Sequence, residues 1–303
     1  MTATPYSPQE FLSLIFSSKA VSIWNHETGP VFWYAAGVPG PFYVNTEKLI
    51  GATQSADLLE AINGIVGDAS LSSESKSEAV REAVLKSYRS NDVFQRIVAT
   101  MIETSPFPIN EIDLISGGER RDWFFSVPFA EELGLDHLYI FKNGEVYRRT
   151  GEKSDHAGMR CVHISDLINN AASYFDKWLP ILADHKMDLL GTISVINRGQ
   201  VGMDRLKEAD VKVHTLKSID LPLFAELADS GLIPQSANDE ISLYFKSKED
   251  WARQYILARP EVFGLDAGLD AKSKERLQSF LEQDPWGLEP LASETFKTLK
   301  AAL

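Results

Sequence analysis

One short stretch of the chain carries side chains that could bind a phosphorylated sugar. It reads RCVHISDLINNAAS, from Arg160 to Ser173, and changes from an apolar strand pattern to a helix start. Asp166, at the expected end of the strand, could accept hydrogen bonds from ribose hydroxyl groups. A helix predicted to begin near Ala171 or Ala172 would present free backbone N–H groups to a phosphate. Together these features suit a sugar phosphate.

Other candidate residues follow predicted strands elsewhere, although the protein as a whole is acidic. The net charge of −13 argues against non-specific nucleic-acid binding, which requires Lys and Arg to neutralise phosphates. Ligands of an open parallel sheet bind beyond the carboxyl ends of its strands. The residues expected there are Arg120, Arg121, Lys142, Asp166, Asn169, Asn170 and Arg198. Positive charge is thus expected where a ligand would bind, although each residue could instead be a solvated surface or strand-end side chain.

The apolar pattern predicts the elements that must position these side chains. From residue 112, strand patterns such as IDLIS, RCVHIS and DLLGTISVIN alternate with helical ones. This alternation favours an α/β fold with a mainly parallel sheet flanked by helices. Pro128 is expected near the first turn of the helix after IDLIS. Asn143 and Gly144 are expected to form a two-residue type I′ hairpin turn.

Three regions are predicted along the chain. Residues 1–110 form an N-terminal β and helical hood, residues 111–216 the α/β core, and residues 217–303 a helical extension. No run of 18 apolar residues occurs, so no membrane span is predicted. The single cysteine, Cys161, excludes an intramolecular disulfide and favours a cytoplasmic location.

The stretch ending at Ser173 resembles the phosphoribosyl-diphosphate (PRPP) motif of type I phosphoribosyltransferases. In that motif an apolar strand precedes two acids, two apolar residues and a Thr-Thr-Gly-Gly-Ser-like loop. The matching segments here are Cys161–Ile164, Ser165-Asp166, Leu167-Ile168 and the loop Asn169, Asn170, Ala171, Ala172 and Ser173. The chain departs from the motif at the first acid, which is Ser165, and at the two loop glycines, which are alanines.

Within that superfamily, the chain particularly resembles orotate phosphoribosyltransferases, over roughly residues 8–216. VFWYAAGVPGPFYVN is similar to their N-terminal segment and includes Tyr43. Lys142 matches one member of a strand-end Arg-Lys pair that holds diphosphate, and Arg198 matches a strand-end arginine that reads the base. Their mobile catalytic loop would lie between Lys142 and Gly158, where only basic residues and His156 are kept.

The resemblance implies an enzyme that transfers ribose 5-phosphate from PRPP to a nitrogenous base, with orotate expected, and releases diphosphate. It implies catalytic roles for Asp166, which would hold the ribose hydroxyls, and for Lys142. Residues 169–173 would bind the 5′-phosphate, and Ser165 would also contact the substrate. Arg120 or Arg121 would bind the diphosphate. Arg198 and Tyr43 would contact the base. It also implies a homodimer and Mg²⁺ bound mainly through diphosphate.

The departures from the motif leave a second interpretation open. A catalytically inactive relative could keep the fold as a sensor of a nucleotide or PRPP, or as an interaction scaffold. The serine at 165, the loop alanines and the altered catalytic loop favour this interpretation. Asp166, Lys142 and Arg198 favour the enzyme.

Overall fold

A computed structural model describes residues 3–25, 29–149, 156–257, 259–264 and 269–303. The chain divides into two compact units. The first unit comprises Met1–Ala20 and Asn45–Ile219, and the second comprises Val21–Val44 and Asp220–Leu303. The second unit is therefore assembled from two segments that are distant in the sequence.

The strands of the described residues are β1 Val21–Ile23, β2 Phe32–Trp33, β3 Pro39–Gly40, β4 Phe42–Val44, β5 Leu114–Gly118, β6 Asp136–Ile140, β7 Val146–Arg148, β8 Arg160–Ile168, β9 Asp188–Asn197 and β10 Val213–Ser218. The α-helices are α1 Pro8–Ser17, α2 Ala52–Gly67, α3 Ser73–Arg89, α4 Asp92–Glu103, α5 Asp122–Leu133, α6 Leu179–Asp184, α7 Gln200–Glu208, α8 Leu221–Asp229, α9 Gln235–Lys246, α10 Lys248–Tyr255, α11 Ala271–Gln283 and α12 Ser293–Ala302. A π-helical turn, Tyr174–Trp178, leads into α6.

The first unit contains a six-stranded sheet in the order β10-β9-β8-β5-β6-β7. Neighbouring strands are parallel except β6 and β7, which are antiparallel. Leu114 and Cys161 belong to an apolar cluster with Trp178 of the π-helical turn and Leu182 of α6. The helix α5 packs against β5 and β8. The predicted α/β class, with a mainly parallel sheet flanked by helices, is confirmed.

Two adjacent glycines at the end of β5 allow helices to approach both faces of the sheet. A Cβ atom at Gly117 would lie 2.1 Å from Ser126 Oγ of α5. A Cβ atom at Gly118 would lie 2.2 Å from the Trp178 ring. Because successive residues of a strand point to opposite faces, the Gly-Gly pair opens one contact on each side. The sheet can therefore hold α5 and the helix after β8 close to the carboxyl end of β5.

Three local expectations differ from the structure. β8 continues to Ile168, so Ser165 and Asp166 lie within the strand, because its pairing with β9 extends to Ile168 and Asn197. Pro128 lies in the middle of α5, where burial of every side chain from residue 122 to 130 offsets its missing N–H group. The hairpin between β6 and β7 is confirmed, but its turn is not type I′.

The hairpin loop is longer than the two-residue turn that Asn143 and Gly144 predict. Phe141 N–H donates to Glu145 O (2.9 Å) and Gly144 N–H donates to Phe141 O (3.0 Å). Gly144 has a φ of 90°, whereas Asn143 is not among the residues with positive φ. This is the pattern of a three-residue loop that closes with a left-handed glycine.

Side-chain caps define where two of the helices before β5 begin. Ser7 and Glu10 form a capping box at α1, in which Ser7 N–H donates to Glu10 Oε2 (2.8 Å). Asn91 Oδ1 accepts from Phe94 N–H (2.9 Å) at the start of α4. This cap explains why the helical pattern from residue 73 to 103 breaks between α3 and α4.

The second unit is built around aromatic side chains from both of its segments. The Trp33 ring lies 5.9 Å from Phe280 and 6.2 Å from Phe263. Val31 N–H donates to Val262 O (2.8 Å), and Arg276 donates to the Trp33 carbonyl (3.0 Å). Residues 21–44 thus belong to the core of this unit.

The described part of residues 217–303 is helical after β10 ends at Ser218. The division of the chain into three regions, with boundaries after residues 110 and 216, stays a prediction. Among the described residues, no helix is both long and apolar enough to cross a membrane.

Candidate functional site

A cavity of about 270 Å³ opens at the carboxyl ends of β5, β6 and β8 in the first unit. It is lined by Leu59, Glu119, Arg120, Arg121, Asp122, Lys142, Ser165, Asp166, Leu167, Asn169, Asn170, Ala171, Ala172, Ser173, Tyr174 and Trp178. All the site residues predicted from the sequence are among them except Arg198 and Tyr43. Residues predicted at the carboxyl ends of three strands therefore do meet in one cavity.

Asp166 contributes a partly buried carboxylate to this cavity. Its Oδ2 atom accepts a hydrogen bond from Thr46 Oγ1 (2.6 Å), and its backbone N–H donates to Asp122 Oδ1 (3.0 Å). Burial raises the pKa of the Asp166 carboxyl above its ordinary value. The carboxylate is therefore fixed in position and has acceptor capacity left for a ligand hydroxyl.

Ser165, at the position of the missing motif acid, is bound to the protein interior. Its side chain is buried, and its Oγ accepts a hydrogen bond from the Tyr174 hydroxyl (2.8 Å). Tyr174 Oη also lies 2.7 Å from Thr192 Oγ1. Ser165 thus serves in part to hold the helix after the loop against the sheet.

The loop from Asn169 to Ser173 ends in a helix that begins at residue 172. Ala171 has a φ of 57°, in the left-handed region that favours glycine. The PRPP motif has a glycine at this position. The Ala172 N–H group donates to Asn170 Oδ1 (3.1 Å), an Asx turn that occupies this N–H group. The helix start expected near Ala171 or Ala172 is confirmed, and one of its N–H groups is occupied.

The first turn of α7 supports this loop from behind. Gly202 N–H donates to Asn169 O (3.1 Å), and Arg205 donates to Asn170 O (2.7 Å). A Cβ atom at Gly202 would lie 2.3 Å from Asn169 O. These contacts hold the carbonyl groups of Asn169 and Asn170 toward α7. The loop N–H groups are the side left for a ligand.

The basic side of the cavity carries three cationic side chains. Arg120 donates to Asn63 Oδ1, Arg121 forms an ion pair with Glu47, and Lys142 Nζ lies 3.9 Å from Glu119 Oε1. Burial, together with the positive charge of Arg120, lowers the pKa of Lys142. The mutual repulsion of the cations is a cost that a bound anion would relieve.

Asp122, in the first turn of α5, is a cavity residue that sequence reasoning missed. Its Oδ2 accepts from Gly118 N–H (3.2 Å), while its Oδ1 accepts from Asp166 N–H. Burial and the negative charge of Asp166 raise the pKa of Asp122 well above its ordinary value. Following two arginines at a helix start, this acid looks in the sequence like an ordinary first-turn carboxylate.

The neutral side chain of His163 lies behind Asp122. Its Nε2 atom is 3.9 Å from Asp122 Oδ2, and its Nδ1 is 3.0 Å from Ser116 Oγ. Burial lowers the pKa of His163 to about 3, so it carries no charge near neutral pH. The histidine therefore does not neutralise the two acids.

Two predicted residues lie outside the cavity lining, and part of one predicted loop lies outside the described residues. Arg198 follows β9, and its backbone N–H donates to Ile168 O (2.9 Å). Tyr43 belongs to the second unit, where it lines a hollow of about 370 Å³ with Phe32 and Arg276. Their proposed contacts with a base stay predictions. Of the expected catalytic loop, residues 150–155 lie outside the described residues.

Two solved structures share the fold of this chain. UMP synthase from Leishmania donovani is 13% identical with a TM-score of 0.51, and the match covers 79% of this chain and 42% of that one. Orotate phosphoribosyltransferase from Francisella tularensis is 10% identical with a TM-score of 0.50, over 78% of this chain and 97% of that one. This chain thus spans less than half of the Leishmania protein.

Neither a protein-family model nor a curated protein matches the sequence. At these low identities the structural likeness is one of fold. The type I phosphoribosyltransferase fold expected from the PRPP-like motif is supported.

Proposed function

We propose that this protein is a phosphoribosyltransferase that binds PRPP and transfers its ribose 5-phosphate to a nitrogenous base. The observation that carries this proposal is the single cavity that brings together Asp166, the loop 169–173 and three cationic side chains. Each part suits one part of PRPP: a carboxylate for ribose hydroxyls, N–H groups for the 5′-phosphate, and cations for diphosphate. Orotate is the base we expect.

Displacement of diphosphate at the anomeric carbon passes through an oxocarbenium-like state. Such a reaction needs positioning and charge stabilisation more than a covalent intermediate. In this proposal Asp166 orients the ribose ring, and Lys142 with Arg120 or Arg121 stabilises the charge that develops on diphosphate. Arg198 and Tyr43 would take part in base binding, and a homodimer is part of the same proposal.

Mg²⁺ is proposed as the cofactor, bound mainly through the diphosphate and water. The described residues contain no group of three or more His, Cys, Asp or Glu side chains that could hold a metal ion by themselves. Since Mg²⁺ in phosphate sites keeps several waters and is bound largely through the phosphates of the substrate, the proposal requires no cage of protein carboxylates. The ion would neutralise charge on the leaving diphosphate.

A second candidate is a catalytically inactive protein of the same fold that senses PRPP or a nucleotide, or serves as an interaction scaffold. It is favoured by Ser165, whose hydroxyl is bonded to Tyr174, and by the Asn170 side chain, which already occupies a loop N–H group. We propose a cytoplasmic location for either function, because the single cysteine, Cys161, is buried and forms no disulfide.

Incubation of the protein with PRPP, Mg²⁺ and a panel of bases, followed by detection of diphosphate, tests the transfer reaction. We expect base-dependent release that is lost in Lys142→Ala and kept in Lys186→Ala, a lysine that does not line the cavity. Binding of PRPP without release for any base would support the sensor. No binding of PRPP would refute the transferase and the PRPP sensor, and would leave the nucleotide sensor and the scaffold.

A further inference from the structure

Two carboxyl groups from different elements meet on one wall of the cavity. Asp122 comes from the start of α5 and Asp166 from β8, and both line the space. Asp122 Oδ1 accepts the Asp166 backbone N–H at 3.0 Å, and Asp122 Oδ2 accepts the Gly118 N–H at 3.2 Å. The carboxyl of Asp122 is therefore held between the ends of β5 and β8.

The position of Asp122 matters because one acid of the PRPP-like motif is absent. Ser165 stands in its place, and its hydroxyl is bonded to Tyr174. The side chain of Asp122 is 10% exposed, and Asp122 lines the cavity. Each of its oxygens accepts one backbone N–H and keeps a second lone pair for another donor.

We propose that Asp122 is a substrate-binding residue that supplies the second carboxyl of the sugar site, in place of the acid missing at Ser165. This inference rests on the proposed function. In it, Asp166 and Asp122 accept hydrogen bonds from the two ring hydroxyls of the phosphoribosyl group. The acid pair of the motif is thus rebuilt from two elements rather than two neighbours in one strand.

The charges around the pair decide how it responds to a ligand. His163 of β8 is neutral, Glu47 of the turn Thr46–Ile50 is paired with Arg121, and the buried hydroxyl of Tyr174 is uncharged. Burial raises the pKa of both acids, and the negative charge of Asp166 raises that of Asp122 further, so the pair is expected to keep one proton when no ligand is bound. Two hydroxyl donors favour the charged form of both acids, so binding should release that proton.

Asp122 could instead act only by holding the ends of β5 and β8 together. In that case its substitution would lower affinity through distortion of the loop, without a change in proton release. A second carboxyl at position 165 would then not compensate for its loss. These two consequences separate a binding role from a structural one.

Calorimetric titration with PRPP and Mg²⁺, in buffers of different ionisation enthalpy, tests the inference. Asp122→Asn should bind roughly tenfold to a hundredfold more weakly than the parent, as expected for a lost bond to a charged acceptor. It should also release fewer protons, by up to about one per site. Asp122→Asn with Ser165→Asp should recover part of the affinity. Unchanged affinity, or weaker binding with neither the proton change nor the recovery, would overturn the inference.

A second pair of variants covers the case in which Asp122→Asn does not fold. Ser165→Asp adds a third carboxyl to a site that already has two, and Ser165→Asn is its uncharged match. Weaker binding by Ser165→Asp than by Ser165→Asn supports the inference, whereas equal or tighter binding overturns it.

The same titrations separate this inference from the proposed function. If the parent binds PRPP and Asp166→Asn weakens binding while Asp122→Asn does not, only the role of Asp122 is wrong. If the parent does not bind PRPP, both are wrong.

Discussion

Replacement of Asp166 by asparagine should lower affinity for PRPP and raise stability at neutral pH. Asparagine has the same shape, and its amide oxygen can still accept the Thr46 hydroxyl that Asp166 Oδ2 accepts at 2.6 Å. Its NH₂ group can donate to the nearby carboxyl of Asp122, in place of the proton that the two acids hold in the parent. The substitution therefore removes a charge without removing the geometry.

The loss of affinity follows from the difference between charged and neutral acceptors. A hydrogen bond to a charged group contributes about 1.5–3 kcal/mol, and a neutral one about 0.5–1.5 kcal/mol. The difference, about 1–1.5 kcal/mol per bond, corresponds to roughly tenfold in the dissociation constant. One ribose hydroxyl on Asp166 thus predicts roughly tenfold weaker binding, and two predict roughly a hundredfold.

The gain in stability has a defined pH dependence. Burial raises the pKa of Asp166 in the folded protein, so the folded state holds the proton more tightly than the unfolded chain does. The stability of the parent must then fall as the pH rises above about 3.9, the ordinary value for Asp, through the raised pKa of the folded state. Asp166→Asn lacks this loss, so its advantage in melting temperature should grow from acidic to neutral pH.

Asp113→Asn is a matched control, because the pKa of Asp113 is lowered in the folded protein whereas that of Asp166 is raised. Hydrogen bonds and an ion pair with Arg160 lower the pKa of Asp113 to about 2. Its contribution to stability is present above the ordinary Asp value and is lost as the pH falls toward about 2. This variant should melt slightly below the parent at neutral pH, converge with it in acid, and bind PRPP unchanged.

Thermal unfolding between about pH 3 and 8 measures how the melting temperatures of the variants depend on pH. Calorimetric titration with PRPP measures their affinities. Parent-like binding by Asp166→Asn would refute the sugar site. An advantage in melting temperature that stays constant or shrinks with rising pH would refute the buried acid pair.

Four further outcomes are expected. Gly202→Ala should lower the free energy of unfolding by about 1–3 kcal/mol in urea titrations, because the added Cβ would lie 2.3 Å from Asn169 O. Gly64→Ala, where a Cβ meets nothing within 4 Å, should raise it by roughly 0.5–1 kcal/mol instead. Burial raises the pKa of Cys161 to about 12, so a thiol reagent followed by absorbance should react with it only in denaturant. Crystals soaked in sulfate should show an anion at the N–H groups of residues 169–173, and an empty loop at high sulfate would contradict the phosphate site.

Most of the cavity could be predicted from the sequence because parallel strands end at one edge of a sheet. Once β5, β6 and β8 are recognised as strands, the residues that follow them must be neighbours. Asp122 also follows β5, but its contact with Asp166, 44 positions away, depends on the packing of α5 on β8 and could not be predicted. In the sequence it is one more acid beside two arginines.

Local rules also failed where strand pairing decided the outcome. The register that pairs Ile140 with Val146 leaves more residues than a two-residue turn can hold, so Gly144 closes a longer loop. Likewise the pairing of Ile168 with Asn197 carries β8 past the motif acid. Sequence patterns indicate that strands exist, whereas register depends on partners distant in the chain.

The two-segment make-up of the second unit has a consequence for dissecting the protein. A chain cut after Ile219 would lose α8–α12 but keep residues 21–44, whose Trp33 packs on Phe280 and Phe263. That fragment would present orphaned aromatic rings to solvent and be prone to aggregate. The two ends of the segment nonetheless meet, because Asn45 N–H donates to Ala20 O at 2.7 Å. A minimal α/β core is therefore better made by a double excision, in which a short turn joins Ala20 to Asn45 and the chain stops at Ile219.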